Sequence, residues 1–216
     1  MNFREEINKI LQKHPDLTIL AVTKNQSAQT ILNLPNSISH IGENKVQEAE
    51  QKFEELSSKS NRKFTKHFIG NLQSNKINKA IQIFDYIQSV HNLILAQKIN
   101  EKSQKLNIIT KIFLQINISK DPQKQGFEAD LEIIKNTINT IKEYKNIELV
   151  GLMTILENTN NDLAIRNSYL QMQNLFKYVN KHILKLKYLS MGMSDDYNQA
   201  LENGSNIIRI GRKLFQ

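Results

Sequence analysis

The 216-residue sequence contains no cysteine, which excludes disulfide bonds and metal sites built on thiolates. It also has no apolar run that reaches the roughly 20 residues a membrane-spanning helix requires. The N-terminal residues Arg4, Glu5 and Glu6 lack the basic-then-apolar order of a signal peptide. From these absences we expect a cytoplasmic protein with no membrane partner.

Arginine is scarce, since only five of the 29 lysines and arginines are arginine. The net charge of +8 and the pI near 9.5 could still indicate a surface for nucleic acid. The lysines alternate with glutamates, as between Glu48 and Lys66, and form no run of like charge. We therefore interpret the positive charge as a solvated surface and expect no nucleic-acid partner. The five histidines show no spacing that would place two on one helix face, so no metal site is predicted.

Short apolar runs recur along the chain, and a segment of helical period follows each of them. An amphipathic helix with Phe3, Ile7, Ile10 and Leu11 on one stripe precedes the first run. Eight such units predict an α/β fold, a single (β/α)8 TIM barrel with an extra N-terminal helix, in one domain spanning residues 1–216. The predicted strands are Leu17–Thr23, Ser39–Gly42, Lys66–Ile69, Tyr86–Val90, Ile109–Asn117, Glu148–Met153, Tyr188–Met191 and Ile207–Gly211.

Several residues predict where helices begin and end. Ser74 is a candidate N-cap for the helix after the third strand, and Ser194 for a helix with two aspartates in its first turn. That last helix should end at Asn203 and Gly204, which readily adopt a left-handed turn. The longest predicted loops follow strands, at Ser119–Gly126 and Leu156–Asn161.

Polar and glycine-containing clusters follow four of the predicted strands. In a barrel of this type the carboxyl ends of the strands carry the functional site, and the ends of strands seven and eight commonly bind phosphate. Glycines there allow backbone N–H groups to approach phosphate oxygens. The four clusters are Ala21–Lys24, Gly42–Asn44, Ser190–Ser194 and Arg209–Arg212.

Lys24 ends an apolar strand, on the same face as Leu20 and Val22 by a period of two. We take that face as the inward one. A desolvated lysine has a lowered pKa and a neutral amine, as Schiff-base formation with an aldehyde requires. The alternative is a lysine that extends from the mouth of the barrel into solvent.

Arg209 and His67 each allow a structural and a functional interpretation. Alternation places Arg209 with Ile207 and Gly211 on one buried face of the last strand, where a guanidinium needs partners. A structural ion pair with a glutamate is the alternative to a role in ligand binding. His67 could form an acid/base pair with Glu43, or it could be a hydrogen-bonded core residue.

These clusters belong to a longer series of motifs that covers nearly the whole chain. The chain resembles the pyridoxal phosphate homeostasis proteins (the YggS/PROSC family), which are similar to the barrel domain of alanine racemase standing alone. The motifs that carry the resemblance are AVTK at Ala21–Lys24, IGENKVQE at Ile41–Glu48, HFIGNLQSNK at His67–Lys76, NISKDPQKQGF at Asn117–Phe127, GLMTI at Gly151–Ile155, LSMGMSDD at Leu189–Asp196 and RIG at Arg209–Gly211.

The resemblance implies that pyridoxal 5′-phosphate (PLP) is the cofactor and that Lys24 forms the Schiff base. Arg209 would face the pyridine nitrogen, and the segment of Ser190 and Met191 with the backbone of Gly211 and Arg212 would hold the phosphate. Asn44, His67 and Met153 would line the pocket. The family usually has serine or threonine where Arg212 stands, so a hydroxyl donor to the phosphate is missing here.

The resemblance also bears on whether the chain is an enzyme. An arginine can only donate to the pyridine nitrogen, which weakens the cofactor as an electron sink. Alanine racemase takes its second base from a further domain and a dimer partner, and since this sequence ends at Gln216 we expect neither. We therefore expect a monomeric PLP carrier without catalytic residues, which delivers PLP to apoenzymes or free amino acids. The alternatives are a PLP-dependent amino-acid racemase of low activity, with His67 or Lys24 as base, and a nucleic-acid-binding protein.

Overall fold

The computed structural model describes residues 3–119, 124–156 and 161–215. Eight strands in these ranges form a closed parallel barrel, in which each strand pairs with its neighbours along the chain and the last pairs with the first. A ninth strand of two residues pairs with the outer part of the fifth. In chain order the strands are β1 (Thr18–Val22), β2 (His40–Glu43), β3 (Thr65–Phe68), β4 (Tyr86–Val90), β5 (Thr110–Asn117), β6 (Phe127–Glu128), β7 (Ile147–Met153), β8 (Tyr188–Met193) and β9 (Ile207–Ile210).

Helices surround the barrel and connect its strands. A 3₁₀ turn at Ser74–Lys76 precedes the fourth helix. The helices are α1 (Phe3–Lys13), α2 (Ala28–Leu32), α3 (Val46–Lys59), α4 (Ile77–Ile83), α5 (Leu93–Lys105), α6 (Leu131–Lys142), α7 (Asp162–His182), α8 (Tyr197–Glu202) and α9 (Arg212–Phe215). Among the described residues no helix combines the length and apolarity needed to cross a membrane.

Alternation along the strands separates two apolar cores. On β1, Ile19 and Ala21 face the helices and join the large core between the barrel and its shell. Leu20 faces the interior, where Phe113, Met153 and Ile207 form a smaller cluster with Val150. Both faces of the strands are therefore buried, as in other parallel barrels. This alternation decides which polar side chains enter the interior.

The predicted barrel and its extra N-terminal helix are confirmed, and the predicted strand ends agree within one or two residues. The sequence reading missed β6, which has no apolar run of its own. Of the two predicted long loops, residues 120–123 and 157–160 lie outside the described residues.

Both predicted serine caps are wrong. Ser74 starts the 3₁₀ turn, and α4 begins after Lys76 without a side-chain cap. Ser194 lies within a turn from Met193 to Asp196, in which the Asp196 carboxylate accepts the Met193 N–H at 2.6 Å, so both aspartates precede α8. The end of α8 is confirmed, with the φ of Gly204 at +82°.

Candidate functional site

Lys24 lies two residues beyond the end of β1, at the carboxyl-terminal mouth of the barrel. Leu20 belongs to the interior cluster and Val22 packs against it, so the predicted inward face of β1 is confirmed. The side chain of Lys24 is nevertheless exposed, and the expected desolvation is not found. The barrel mouth therefore presents this amine to solvent.

Hydrogen bonds on either side of Lys24 hold its backbone in place. The N–H of Thr23 donates to the Gly42 carbonyl at 2.9 Å, and the Thr23 carbonyl accepts from the N–H of Gln26 at 3.0 Å. Asn25 has a φ of 63°, in the left-handed region that asparagine tolerates better than most residues. The chain thus turns at a defined point directly after the lysine.

A buried ion pair lies beneath this turn, on the helix-facing side of the barrel. The Nζ of Lys52 on α3 donates to Glu43 Oε1 at 2.6 Å and to the Thr23 carbonyl at 2.8 Å. The Thr23 hydroxyl donates to the same Glu43 oxygen at 2.7 Å. Glu43 Oε2 is buried without a partner among the described residues. The cluster ties the end of β1 to β2 and α3.

The proposed acid/base pair of Glu43 and His67 is wrong. Glu43 points out of β2 into the layer of Lys52, whereas His67 points into the interior toward Gln88. His67 is in register with Gly42 on β2, and Glu43 is the next residue along that strand. Because successive side chains of a strand point to opposite faces, Glu43 and His67 lie on opposite faces of the sheet.

Arg209 points into the barrel with 4% of its surface exposed. Its Nη1 donates to the carbonyl and the hydroxyl of Ser190, both at 2.9 Å, and its Nη2 donates to the Thr154 carbonyl at 2.6 Å. Among ion pairs between described residues none includes Arg209, so the alternative of a structural pair with a glutamate is not borne out. Burial lowers the pKa of the guanidinium from its usual value, although an arginine stays protonated.

A chain of hydrogen bonds continues from Arg209 across the interior. The Ser190 hydroxyl donates to Gln88 Oε1 at 2.8 Å, and Gln88 Nε2 donates to His67 Nδ1 at 2.9 Å. His67 Nε2 lies 2.9 Å from Nδ1 of His40 at the amino-terminal end of β2. Burial lowers the pKa of His67 well below its ordinary value, and the neighbouring His40 lowers it further. His67 is therefore neutral and fully bonded.

The ends of β8 and β9 differ from the expected phosphate pocket in two respects. Met191 is buried in the core that faces the helices, so its side chain lies away from the interior. Gly192, with a φ of +93°, makes room for α8, since a Cβ there would lie 2.5 Å from the Cβ of Ala200. Gly211 lies beside Val22 at the mouth. Arg212 is exposed and forms an ion pair with Asp195.

Asn44 and Met153 lie at different depths. Met153 is fully buried in the interior cluster. Asn44 is half-buried after β2 and lines a cavity of about 280 Å³ together with Asn71, Gln73 and Lys76 from the segment after β3.

The structure thus brings Arg209, Ser190, His67 and Met153 together inside the barrel, and it leaves the Met191 side chain outside. The sequence reading missed Gln88, Thr154, Lys52 and His40. Gln88 had a signal, because it is a polar residue on the inward face of the strand YIQSV. Among the described residues no group of three or more acidic or histidine side chains could hold a metal ion.

Comparison with known proteins places this barrel in a family. The chain matches the family "Alanine racemase, N-terminal domain" over residues 1–216. It is 35% identical to the "Pyridoxal phosphate homeostasis protein" of Synechocystis over 93% of this chain and 91% of that protein. The protein of the same name from Helicobacter pylori is 33% identical over 100% of this chain and 99% of its own length. The chain belongs to the pyridoxal phosphate homeostasis (YggS/PROSC) family.

Solved structures agree with this assignment. PipY of Synechococcus elongatus, solved with PLP bound, superposes with a TM-score of 0.86 at 29% identity, covering 99% of both chains. The same protein without PLP gives a TM-score of 0.89 at 30% identity, with the same coverage. An alanine racemase of Clostridium difficile shares the fold, with a TM-score of 0.76 at 17% identity over 58% of its length.

Proposed function

We propose that this chain binds pyridoxal 5′-phosphate as a Schiff base on Lys24 and serves in homeostasis of that cofactor rather than in catalysis. Arg209 carries the proposal, because its buried guanidinium donates to neutral oxygens and forms no ion pair among the described residues, although Asp196 attracts it from farther away. Such a guanidinium suits a neutral acceptor as its ligand. Its three bonds use three of five N–H groups and leave the Nε–H and one Nη2–H for a ligand. A pyridine nitrogen is an acceptor of the kind these donors require.

Lys24 and Lys52 both lie near the end of β1, and their surroundings favour Lys24 as the amine that forms the Schiff base. Lys52 is held by Glu43 and the Thr23 carbonyl, so its amine is already engaged as a hydrogen-bond donor. Lys24 is exposed at the barrel mouth and has no such partner among the described residues. Its neutral amine would add to the aldehyde carbon of the cofactor, a C=N bond would replace the C=O bond, and water would leave.

The phosphate would be held by the backbone of Gly211 and Arg212 at the mouth. Ser190 is less suited to that task, because its hydroxyl hydrogen is directed to Gln88 and its oxygen accepts from Arg209. Asn44 and Met153 would contact the cofactor from two sides, and Met191 would contribute through its backbone alone.

Two features favour a carrier over a racemase. When bound, PLP supplies an electron sink for carbanions, and an arginine at its pyridine nitrogen cannot deepen that sink, because it cannot accept a hydrogen bond from a protonated ring nitrogen. His67 cannot act as a base while Gln88 and His40 occupy both of its ring nitrogens. We propose that the protein is a cytoplasmic monomer that delivers PLP to apoenzymes or free amino acids.

Reductive trapping tests the site. Borohydride treatment of the protein with PLP should fix the cofactor to the peptide that contains Lys24, and Lys24→Ala should abolish labelling. Lys45→Ala is the matched control, because Lys45 is also exposed and, among the described residues, its ion pair is with Glu48. A label on another lysine in the wild-type protein would contradict the assignment.

A second assay separates the carrier from the racemase. The loaded protein is incubated with several amino acids in heavy water, and exchange of the α-proton is followed by NMR. The carrier should show no enzymatic turnover. Exchange that disappears in Lys24→Ala but persists in Lys45→Ala would overturn the carrier and favour the racemase.

A further inference from the structure

The interior of the barrel contains a row of polar side chains where parallel barrels usually carry branched apolar residues. The row takes one residue from each of five strands, and four consecutive hydrogen bonds of 2.8–2.9 Å join them. Its members, from the cofactor side to the amino-terminal face, are Arg209, Ser190, Gln88, His67 and His40. A buried polar network of this kind is stable only when every member is satisfied.

The hydrogens along this row all point the same way. The Ser190 oxygen accepts from Arg209, so its own hydrogen goes to Gln88 Oε1. The Gln88 amide nitrogen can only donate, so Nδ1 of His67 accepts. Neutral His67 then carries its hydrogen on Nε2 and donates it to Nδ1 of His40.

Such a row holds atoms in place and does not conduct protons. Gln88 lies in its middle, and a primary amide passes a proton on only through its unstable imidic acid form. Protonation of His67 would also bring a second N–H against the Gln88 donor. Each link is therefore a directional constraint on the next.

We propose that Gln88 and His67 are positioning residues that hold Ser190 as an acceptor and thereby orient the Arg209 guanidinium toward the pyridine nitrogen of the cofactor. The inference rests on the proposed function. Loss of the His67 acceptor frees the Gln88 amide to rotate, and Ser190 then loses the partner for its hydrogen. Arg209 Nη1 in turn loses one of its two fixed acceptors, while the Ser190 and Thr154 carbonyls still accept from the guanidinium.

The first test needs no cofactor. Long-range ¹H–¹⁵N NMR of the unliganded protein should show His67 with its hydrogen on Nε2 and an unprotonated Nδ1. In Gln88→Glu the carboxylate still accepts from Ser190 but cannot donate to His67, so His67 should gain a hydrogen on Nδ1. An Nδ1–H on His67 in the wild-type protein, or an unchanged His67 tautomer in the variant, would contradict the proposed direction of the hydrogen bonds.

The second test reads the effect on the cofactor. Gln88→Leu and His67→Leu should weaken PLP binding about tenfold, as expected for one lost charge-assisted hydrogen bond, and should shift the ¹⁵N resonance of the labelled pyridine nitrogen. His67→Gln should restore both, because its amide can accept from Gln88 and donate to His40. Folding of each variant is checked by circular dichroism.

Ser89→Ala is the matched control, because Ser89 neighbours Gln88 on β4 and its buried hydroxyl has no partner among the described residues. It should leave binding and resonance unchanged. Folded Gln88→Leu and His67→Leu proteins with wild-type affinity and resonance would overturn the positioning role. If the wild-type protein does not bind PLP, the proposed function is wrong. The NMR of the unliganded protein still tests the direction of the hydrogen bonds along the row.

Discussion

Arg209 and Glu43 are both buried charged residues on nearby strands of one barrel, yet their surroundings are opposite in kind. Glu43, with no exposed surface, pairs with Lys52 between the barrel and the helices. Arg209 lies inside the barrel, and its hydrogen bonds to the described residues all end on neutral oxygens. The difference shows that one charge ties structural elements together, while the other keeps donors available for a ligand.

The largest expected effect comes from breaking the ion pair. Glu43→Leu leaves Lys52 without its carboxylate and the Thr23 hydroxyl with only the longer contact of 3.3 Å to the Gly42 carbonyl, so the free energy of unfolding should fall by about 3–5 kcal/mol. Urea denaturation of the unliganded protein measures this loss.

The control adds Lys52→Met to the Glu43→Leu variant. The double variant Glu43→Leu/Lys52→Met should recover much of the lost stability, because it buries no unpaired charge. A single variant as stable as the wild-type protein would show that the pair does not tie β1 to β2.

Acidification should have an intermediate effect, through the histidines of the interior row. The lowered pKa of buried His67 means that the unfolded chain takes up a proton first as the pH falls below about 6.5. The free energy of unfolding should therefore be unaffected by His67 above this pH and fall below it, by about 1.4 kcal/mol per pH unit and proton. Urea denaturation between pH 7.5 and 5 measures this effect. The free energy of unfolding should decrease less for His67→Gln than for the wild-type protein, and equal decreases would contradict the assignment of His67 as neutral.

Arg209→Met should change stability least. The substitution removes a buried charge that forms no ion pair within the described part of the chain, and the Ser190 carbonyl keeps the N–H of Thr154 at 3.1 Å. The free energy of unfolding should stay within about 1 kcal/mol of the wild-type value, while binding of PLP should weaken strongly. A loss of stability as large as that of Glu43→Leu would make Arg209 a structural residue after all.

The periodic parts of the fold were predictable from the sequence, and the details of the site were less so. The inward face of Leu20 and Val22 and the inward direction of Arg209 follow from a period of two, because each strand is buried on both sides. The same alternation could have placed the Met191 side chain outside the barrel, because Met191 directly follows the inward Ser190. It could also have separated Glu43 from His67, because His67 is in register with Gly42, the residue before Glu43. The caps at Ser74 and Ser194 failed because turns before the helices used those positions.

The sequence by itself determined the order of the β/α units, the faces of the strands and the family motifs, because these depend on local periodicity and on residue identity along the chain. Only the tertiary structure decided the partners of the buried polar groups. Ser190 and Gln88 are 102 positions apart and meet across the interior only because the strands form a closed barrel, in which β9 pairs with β1. The exposure of Lys24 was decided in the same way, since it depends on where β1 ends relative to its neighbours and not on the apolar run that precedes it.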